Sequence, residues 1–454
     1  MLCRMTRRPL FLLVSLLALS WTVLAQDERH VILVTVDGFA NFHLKNPAID
    51  LPVIRALARD GVEAASGETV FPSVTHPSHT TLLTGVRPLR HGVINNRYAN
   101  RLTGERFHIT NLDRTASVKA PTIFDAARRA GLSTAAFFWP ETRNDPSIDF
   151  NVPEVFTPES RGDITAVPAA VLAELRNAGV PIDDYFRYYG DSFLMGTSDA
   201  VLAQAAAHAI RTRKPSLLAI HLLLTDEVQH ELGPAHYRAH AALSAADHAV
   251  GTLVDAVKAA GIADSTTFIV TADHGFATID KKVNLAPIFA DLVKAGAVRL
   301  HPQAWSLFVE RTQVFDASNH GPALEAAYTK ALAVAGVTRL VRSSEFHALG
   351  IPTFDESPFI AGQDFLIGEV DTWLVADASD SSTTRVPLVP PRHEHGYLPS
   401  HPKMFTSLVL SGRGVRKGAS IGHVRSLDVA PTIARLLGIE LPDVEGRVLT
   451  EALQ

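Results

Sequence analysis

The sequence predicts an α/β protein in which a central, mostly parallel sheet is flanked by helices, with a smaller α+β insertion. Three observations favour this class. Short apolar runs alternate with amphipathic, helix-like segments along the chain. The runs are nearly unbroken, as in strands that are buried on both faces of a parallel sheet. Several of them end in an acidic residue, at the sheet edge where open α/β proteins bind ligands.

The composition is that of a globular protein with a large core. The chain has 454 residues, of which 46% are hydrophobic and 20% charged. A formal net charge of −5 provides no excess of basic residues for a nucleic-acid backbone, so we expect no binding to nucleic-acid polymers.

Residues 1–25 are typical of a secretory signal peptide. Arg4, Arg7 and Arg8 precede an apolar run at 10–19, and Ala25 ends a small-residue cleavage site. The alternative is a retained signal anchor, for which the apolar run is short. No later stretch is long and apolar enough to span a bilayer. We therefore expect an exported protein, periplasmic or secreted, and it would lack disulfides because its only cysteine, Cys3, lies in this segment.

The first half of the mature chain alternates strands and helices. An apolar strand at 31–36 leads to Asp37, and a helix at 51–59 follows. Thr75 then precedes a short helix at 77–83, which Gly85 ends. A helix at 121–130 and a strand at 133–139 continue the alternation. Residues 141–195 resemble an excursion from the sheet, and a helix at 198–213 returns to a strand at 216–224.

The second half ends the sheet after a less regular region. A helix at 237–260 leads to a strand at 266–271, which runs into Asp273. Strand-like segments at 305–309, 338–341, 365–370 and 372–376 predict an insertion or cap at about 279–390. A strand at 406–411 and a helix at 428–437 complete a main domain that we expect to cover 26–454.

Aspartate and histidine pairs follow two of the predicted strands. Asp226 and His230 are four residues apart and can face one ion, and Asp273 and His274 can do so from a strand end. Carboxylate oxygens and neutral imidazoles are the ligands of zinc and similar divalent ions. With Asp37 and a histidine from 393–401, six ligands suit two ions about 4 Å apart.

Each of these residues also has an ordinary explanation when it is taken alone. A single aspartate after a strand is more often a turn or helix cap, and a single histidine among 20 is more often a surface group. The set together predicts metal binding. We expect the remaining histidines near the motifs to be supporting or solvent-facing groups: His79, His91, His221, His393 and His401.

Thr75 is the candidate nucleophile. It stands at the mouth of a helix, where free N–H groups and the helix dipole favour negative charge. Its hydroxyl becomes a nucleophile only if a base or a metal ion lowers its pKa.

These motifs resemble the nucleotide pyrophosphatase/phosphodiesterase group, or type I phosphodiesterases, of the alkaline phosphatase superfamily. The resemblance extends from 31–38 to 428–438 and implies an alkaline phosphatase-like fold. It implies that Asp226, His230 and His395 bind one zinc ion. It also implies the ligands of a second zinc ion: Asp37, Thr75, Asp273 and His274.

The resemblance extends to the reaction. Asn96, at the end of the motif at 91–96, is similar to the family's asparagine that hydrogen-bonds a phosphoryl oxygen. The implied mechanism is in-line attack by Thr75 on phosphorus, with a phosphothreonine intermediate that is then hydrolysed. Sulfatases share the fold but need a formylglycine made from Cys or Ser, which Thr75 cannot become.

The chain also departs from the family pattern. His76 stands where nucleotide-cleaving members usually have an aromatic residue, and Ser78 stands where the family has asparagine. Both departures leave the metal chemistry intact and the nucleotide specificity open. His395 is the chosen ligand among the carboxyl-terminal histidines because Gly396 and Tyr397 follow it, as in the family.

The expected function is therefore an exported two-zinc hydrolase of phosphodiester or pyrophosphate bonds in a small phosphorylated substrate, with nucleotides among the candidates. One alternative is hydrolysis of another phosphoryl compound: a phosphomonoester, a phosphonate or a phospholipid head group. A further alternative is a non-catalytic metal- or phosphate-binding protein.

Overall fold

An eight-stranded sheet forms the centre of the structure, a computed structural model that describes residues 28–156, 162–188, 195–303 and 305–454. The predicted signal peptide lies outside the described residues. Along the sheet the strands run in the order Ala419–Arg425, Val62–Glu68, Leu408–Gly412, Thr266–Thr271, His30–Val36, Leu217–Leu222, Thr134–Phe137 and Phe150–Val152. Leu408–Gly412 is antiparallel to both neighbours and the other pairs are parallel. The predicted fold class is confirmed.

The central strand His30–Val36 contains the first apolar run of the mature chain, and its burial explains why the run is nearly unbroken. All seven residues are buried, between parallel neighbours on both sides. Side chains alternate between the two faces of a strand. Ile32 and Val34 accordingly enter one core, and Val31 and Leu33 enter the other. A strand that supplies two cores has no solvent-facing position for a polar residue.

Helices cover both faces of the sheet. The first core includes residues of Pro52–Asp60, Met195–Arg213 and Tyr237–Ala259. The second includes residues of Thr75–Thr84, Ile123–Arg129 and Val429–Leu437. The other helices near the sheet are Asn41–Leu44, Pro88–His91, Arg114–Ser117, Ala169–Asn177, Ile182–Tyr188 and Leu224–Leu232.

Two smaller sheets follow the strand Thr266–Thr271 in the chain. The first has four strands, in the order Val298–Pro302, Ser306–Arg311, Asp364–Gly368 and Val337–Val341. The helices Ala286–Lys294 and Ala317–Leu332 share its core. The second sheet contains Thr372–Val375, Ala277–Asn284 and Val386–Glu394. A hairpin pairs Arg97–Ala99 with Arg106–His108. The division into a main domain and an insertion stays a prediction.

Two predicted elements differ from the structure. The strand predicted at 216–224 ends at Leu222, because the chain turns there into the helix Leu224–Leu232. The excursion predicted at 141–195 is wrong in part, since Phe150–Val152 adds a parallel strand to the main sheet. Three residues are too few to show a strand period in the sequence. No helix among the described residues is long and apolar enough to cross a membrane.

Candidate active site

Three aspartates lie at the carboxyl ends of three neighbouring strands. Asp37 follows His30–Val36, Asp273 follows Thr266–Thr271, and Asp226 lies on the helix after Leu217–Leu222. The Nε2 atom of His274 is 3.3 Å from Asp37 Oδ1, 3.1 Å from Asp273 Oδ2 and 4.0 Å from Asp226 Oδ1. The carboxylates therefore converge on one buried imidazole.

The potential metal ligands form two overlapping groups. Asp37, Asp273 and His274 make one group, and Asp226, His274 and His395 make the other, with ligand atoms within 4.8 Å of one another in each. His395 Nε2 is 3.6 Å from Asp226 Oδ1. His230 adjoins the second group, with its Nε2 atom 3.4 Å from Asp226 Oδ2. His274 belongs to both groups, so two ions held here would be neighbours.

Each aspartate presents one buried oxygen without a hydrogen-bond partner: Asp37 Oδ1, Asp226 Oδ1 and Asp273 Oδ2. Two of the second oxygens are satisfied, since Asp273 Oδ1 accepts from Gly38 N at 3.1 Å and Asp37 Oδ2 lies 3.0 Å from His221 Nε2. A buried carboxylate oxygen without a partner is destabilising unless a cation compensates it. The three orphaned oxygens therefore fit bound divalent ions.

The electrostatics of the carboxylates also favour a cation. Burial, and then the charges of Asp273 and Asp226, raise the pKa of Asp37 well above its usual value. Burial raises the pKa of Asp226 to about 7, although the nearby His230 acts in the opposite direction. Like charges held together in a buried site disfavour ionisation. A divalent ion between them removes this repulsion.

Three histidines each use Nδ1 on a backbone carbonyl. His230 Nδ1 is 2.7 Å from His393 O, His274 Nδ1 is 3.0 Å from Gly275 O, and His395 Nδ1 is 3.0 Å from Ser73 O. Because a carbonyl only accepts, each ring donates from Nδ1, and a neutral ring then carries its lone pair on Nε2. Burial lowers the pKa of His274 to about 3, which keeps that ring neutral. Such backing by carbonyl groups is typical of metal-ligating histidines.

Thr75 begins the helix beside these groups. The helix Thr75–Thr84 is buried throughout and ends at Gly85, whose left-handed φ of +67° ends the helix. Thr75 Oγ1 is 3.5 Å from His274 Nε2. His79 fixes this end of the helix, since its Nδ1 atom is 2.9 Å from Thr75 O and its Nε2 atom 2.8 Å from Thr35 Oγ1. Thr75 is thereby held beside His274, the imidazole on which the carboxylates converge.

Asn96 lies beside the amino end of the same helix. Its Oδ1 atom accepts a hydrogen bond from the backbone N–H of His76 at 3.0 Å. Only the oxygen of the amide can accept, so this bond sets the orientation of the side chain. The Nδ2 hydrogens are not used in this bond and can donate to another group.

His91 supports the loop that carries Asn96. Its Nε2 atom is 3.1 Å from Thr81 Oγ1, and its Nδ1 atom accepts from Val93 N at 3.1 Å. Tyr98 extends this support, because its hydroxyl accepts from Ile94 N at 2.7 Å. Burial lowers the pKa of His91 to about 3. The ring is therefore neutral in the folded protein and links the loop to the helix Thr75–Thr84, which begins with the candidate nucleophile and is called the nucleophile helix below.

This buried histidine predicts a loss of stability in mild acid. An exposed histidine titrates near pH 6.5, so below that pH the unfolded chain binds a proton that folded His91 does not bind until about pH 3. Stability is therefore present above pH 6.5 and is lost as the pH falls through this window. We compare the free energies of unfolding of metal-free wild type and His91→Gln, measured in urea. The excess of the wild-type value over the variant value should be about 2 kcal/mol smaller at pH 5 than at pH 7.5. An advantage independent of pH would contradict this role.

The other candidate residues lie near the site without joining the two ligand groups. His393 Nδ1 is 3.0 Å from Thr278 Oγ1, and His401 Nδ1 accepts from Lys403 N at 3.1 Å. The Ser78 hydroxyl accepts from Thr69 Oγ1 at 2.8 Å. His76 is buried, and its Nδ1 atom is 2.6 Å from Glu141 Oε1. The side chain that departs from the family pattern is therefore held by a carboxylate.

Two buried residues beside the site, Glu141 and Glu154, were not singled out by the sequence, and His221 was expected only to be a supporting or solvent-facing group. His221 contacts Asp37, Glu154 contacts His221, and Glu141 contacts His76. One indication was available, because His221 interrupts an apolar buried strand and a polar group in such a strand needs a partner. Glu141 and Glu154 gave no comparable indication, since they lie in the polar segment after residue 140.

Comparisons with known proteins identify the family of the chain. The family model described as type I phosphodiesterase / nucleotide pyrophosphatase matches residues 31–330. Mouse ectonucleotide pyrophosphatase/phosphodiesterase family member 7 is 27% identical over 263 residues, which are 57% of this chain and 52% of the mouse protein. A venom phosphodiesterase from Naja atra is 23% identical over 255 residues, 56% of this chain and 27% of that protein. The chain thus spans about half or less of the length of these relatives.

Solved structures show the same fold. Murine ectonucleotide pyrophosphatase/phosphodiesterase 5 superposes with a TM-score of 0.69 at 17% identity, covering 94% of this chain and all of that chain. The human protein of the same name gives the same values. A structure of an inactive form of the murine protein was determined in complex with AMP.

Proposed function

The chain belongs to the type I phosphodiesterase / nucleotide pyrophosphatase family, and from this premise we propose that it is an exported two-zinc hydrolase of phosphodiester or pyrophosphate bonds. One observation carries the proposal. Three buried carboxylate oxygens without partners converge on His274, beside the hydroxyl of Thr75. Export rests on the signal peptide predicted at residues 1–25.

The donor set supports two metal sites. Asp226, His230 and His395 would hold one ion. His230 Nε2 is 3.4 Å from Asp226 Oδ2, and His395 Nε2 is 3.6 Å from Asp226 Oδ1. The ligands proposed for the second ion are Asp37, Thr75, Asp273 and His274. The ligand set consists of oxygens and imidazoles, without a thiolate, which suits zinc and similar borderline ions. His274 also approaches Asp226, so it stands between the two proposed sites.

The reaction follows from what these residues do. Two divalent ions supply Lewis acidity that lowers the pKa of a coordinated hydroxyl and stabilises the oxygen that leaves. The Thr75 hydroxyl loses its proton to water and its Oγ attacks phosphorus in line. A phosphothreonine forms as the P–O ester bond breaks, and the leaving oxygen takes up a proton from water. Asn96 donates from Nδ2 to a phosphoryl oxygen on which charge grows, with its amide already oriented by His76 N. Water then cleaves the phosphothreonine and restores the Thr75 hydroxyl.

The substrate is a small phosphorylated molecule, and the names of the relatives favour a nucleotide. A panel of purified substrates tests the bond type: bis-p-nitrophenyl phosphate, p-nitrophenyl phosphate and a p-nitrophenyl nucleotide ester. We expect the diesters to exceed the monoester in kcat/KM, with all activity lost in EDTA and recovered with zinc. A preference for the monoester would favour the alternative, a hydrolase of another phosphoryl compound.

Asn96 provides a second prediction about the same reaction. Asn96→Ala should lower kcat for bis-p-nitrophenyl phosphate by roughly 10²- to 10³-fold, because a donor aimed at the transition state is lost. Zinc content should stay at the wild-type value, since Asn96 is not among the proposed ligands. Asn100→Ala, in the hairpin turn after the same loop, is the matched control, because Asn100 Oδ1 only accepts from Leu102 N and Thr103 N there. A wild-type kcat for Asn96→Ala would exclude the proposed role.

A further inference from the structure

Four buried side chains form a line beside the proposed metal site. They are Glu141, His76, Glu154 and His221, each at most 4% exposed in its side chain. The line starts at Thr80 on the nucleophile helix and ends at Asp37. We call these four residues the Glu–His line. Charged groups are rarely buried without a role or a partner, and here each has partners within the line.

Short contacts hold the two halves of the line, and an approach of 4.0 Å between Glu154 and His76 joins them. Glu141 Oε2 accepts from Thr80 Oγ1 at 3.0 Å, and Glu141 Oε1 is 2.6 Å from His76 Nδ1. Glu141 therefore fastens two residues one helical turn apart, next to Thr75. Glu154 then lies between the two imidazoles, with Oε1 4.0 Å from His76 Nε2 and Oε2 3.3 Å from His221 Nδ1.

The line ends on a proposed metal ligand. His221 Nε2 is 3.0 Å from Asp37 Oδ2, whereas Asp37 Oδ1 lacks a hydrogen-bond partner and lies 3.3 Å from His274 Nε2. His221 thus occupies one oxygen of Asp37 and leaves the other facing the cluster. The Nδ1 atom of the same ring is 3.3 Å from both Phe138 O and Glu154 Oε2, so acceptors hold the ring from behind.

The sheet topology explains why these residues meet. Asp37 follows the strand His30–Val36, and His221 lies in its neighbour Leu217–Leu222. Glu141 and Glu154 follow the next two strands, Thr134–Phe137 and Phe150–Val152. All four strands are parallel and present their carboxyl ends at one edge. The last two strands at this side of the sheet thus contribute to the site although they carry no proposed metal ligand.

We propose that the Glu–His line is a positioning network, in which Glu154 holds His221 so that Asp37 presents a single oxygen, Oδ1, to the metal ion. Glu141 and His76 anchor the first turn of the nucleophile helix to the same network. The network thereby fixes the position of the Thr75 hydroxyl relative to the Oδ1 atom of Asp37. Groups behind metal ligands act in this way by fixing ligand orientation. The inference rests on the proposed function, because it assigns a role toward the same metal ions.

Cobalt titration of purified full-length protein tests the proposal, with d–d absorption and calorimetry as readouts. Wild type should bind two equivalents. Glu154→Met keeps the length of the side chain and removes both oxygens, so one equivalent should bind roughly 10- to 100-fold more weakly while the other is unchanged. Glu154→Gln should recover most of this loss, because its Oε1 atom can still accept from His221 Nδ1. A role limited to packing would not weaken one equivalent selectively.

The matched control is Glu174→Met. Glu174 also contacts a histidine, with its Oε1 atom 3.0 Å from His208 Nε2, but it lies on the helix Ala169–Asn177 outside the two ligand groups. Its cobalt binding should equal that of wild type. If Glu154→Met fails to fold, His221→Asn tests the same link, because an asparagine cannot reach both Asp37 and Glu154.

The outcomes separate this inference from the proposed function. Wild-type cobalt binding by Glu154→Met, or equal losses in Glu154→Met and Glu154→Gln, would overturn the positioning role while leaving the hydrolase proposal intact. A wild-type protein that binds no cobalt would overturn the proposed function itself and this inference with it.

Discussion

Thr75→Ala is expected to lower the turnover of bis-p-nitrophenyl phosphate by roughly 10⁴- to 10⁶-fold, the range seen when a covalent nucleophile is removed. The physical reason is that the Thr75 hydroxyl is the group proposed to attack phosphorus, and it lies 3.5 Å from His274 Nε2 at the carboxylate cluster. Zinc content should stay nearly unchanged, because the aspartates and histidines of both proposed sites remain. Steady-state kinetics and metal analysis on the same preparation measure both quantities.

Two control variants make the result specific. Thr75→Ser keeps a hydroxyl and should retain far more activity than Thr75→Ala. Thr84→Ala removes a threonine hydroxyl from the last turn of the same helix, where Oγ1 donates to Thr80 O at 2.8 Å. Its turnover should stay close to that of wild type. Full activity in Thr75→Ala would show that another group attacks phosphorus.

His274→Ala should have the largest effect on metal binding. Its Nε2 atom approaches a carboxylate oxygen of all three aspartates, at 3.1 Å, 3.3 Å and 4.0 Å. Loss of this ring disturbs both proposed sites, so zinc content should fall from two ions to one or none. Activity should fall by more than the roughly 100-fold that the loss of a group behind a ligand costs.

His401→Ala is the comparison for this variant. His401 is close in sequence to the proposed ligand His395, but its Nδ1 atom accepts from the backbone N–H of Lys403. Its zinc content and activity should match wild type. A His274→Ala protein that is folded and retains two zinc ions would exclude the proposed ligand set.

Much of this site was predictable from the sequence, because its three aspartates lie just after predicted strands. Asp37, Asp226 and Asp273 each come after an apolar run, and carboxyl ends of parallel strands meet at one edge. The aspartates are brought to one edge by the existence of the strands, whatever the order of the strands in the sheet. The fold class was also predictable, because the continuous apolar run in His30–Val36 reflects burial on both faces of the sheet.

The contacts behind the proposed ligands were only partly predictable, because His221 was expected as a supporting or solvent-facing group but its partner Asp37 was not. His221 meets Asp37 because Leu217–Leu222 pairs directly with His30–Val36, and Glu154 meets His221 because a three-residue strand extends the edge. Neighbour relations between strands depend on packing across the whole sheet, which local periodicity does not encode. The orientation of the Asn96 amide likewise depends on a backbone N–H that a distant loop must reach.

Which histidine lies beside which aspartate was also not fully predictable from the local sequence. The resemblance assigned His274 to the ion of Asp37 and Asp273, and the structure also brings it 4.0 Å from Asp226. Its ring lies on that of His395, with centroids 3.5 Å apart. The spacing of residues in the sequence therefore does not show that His274 adjoins both proposed ion sites.

The most direct test of the central claim is anomalous diffraction at the zinc edge from crystals of the full-length protein grown with zinc. We predict two peaks about 4 Å apart, as in two-metal hydrolases. One peak should lie among Asp226, His230 and His395, and the other should lie among Asp37, Thr75, Asp273 and His274. The absence of peaks at these residues, with zinc bound elsewhere or not at all, would contradict the account.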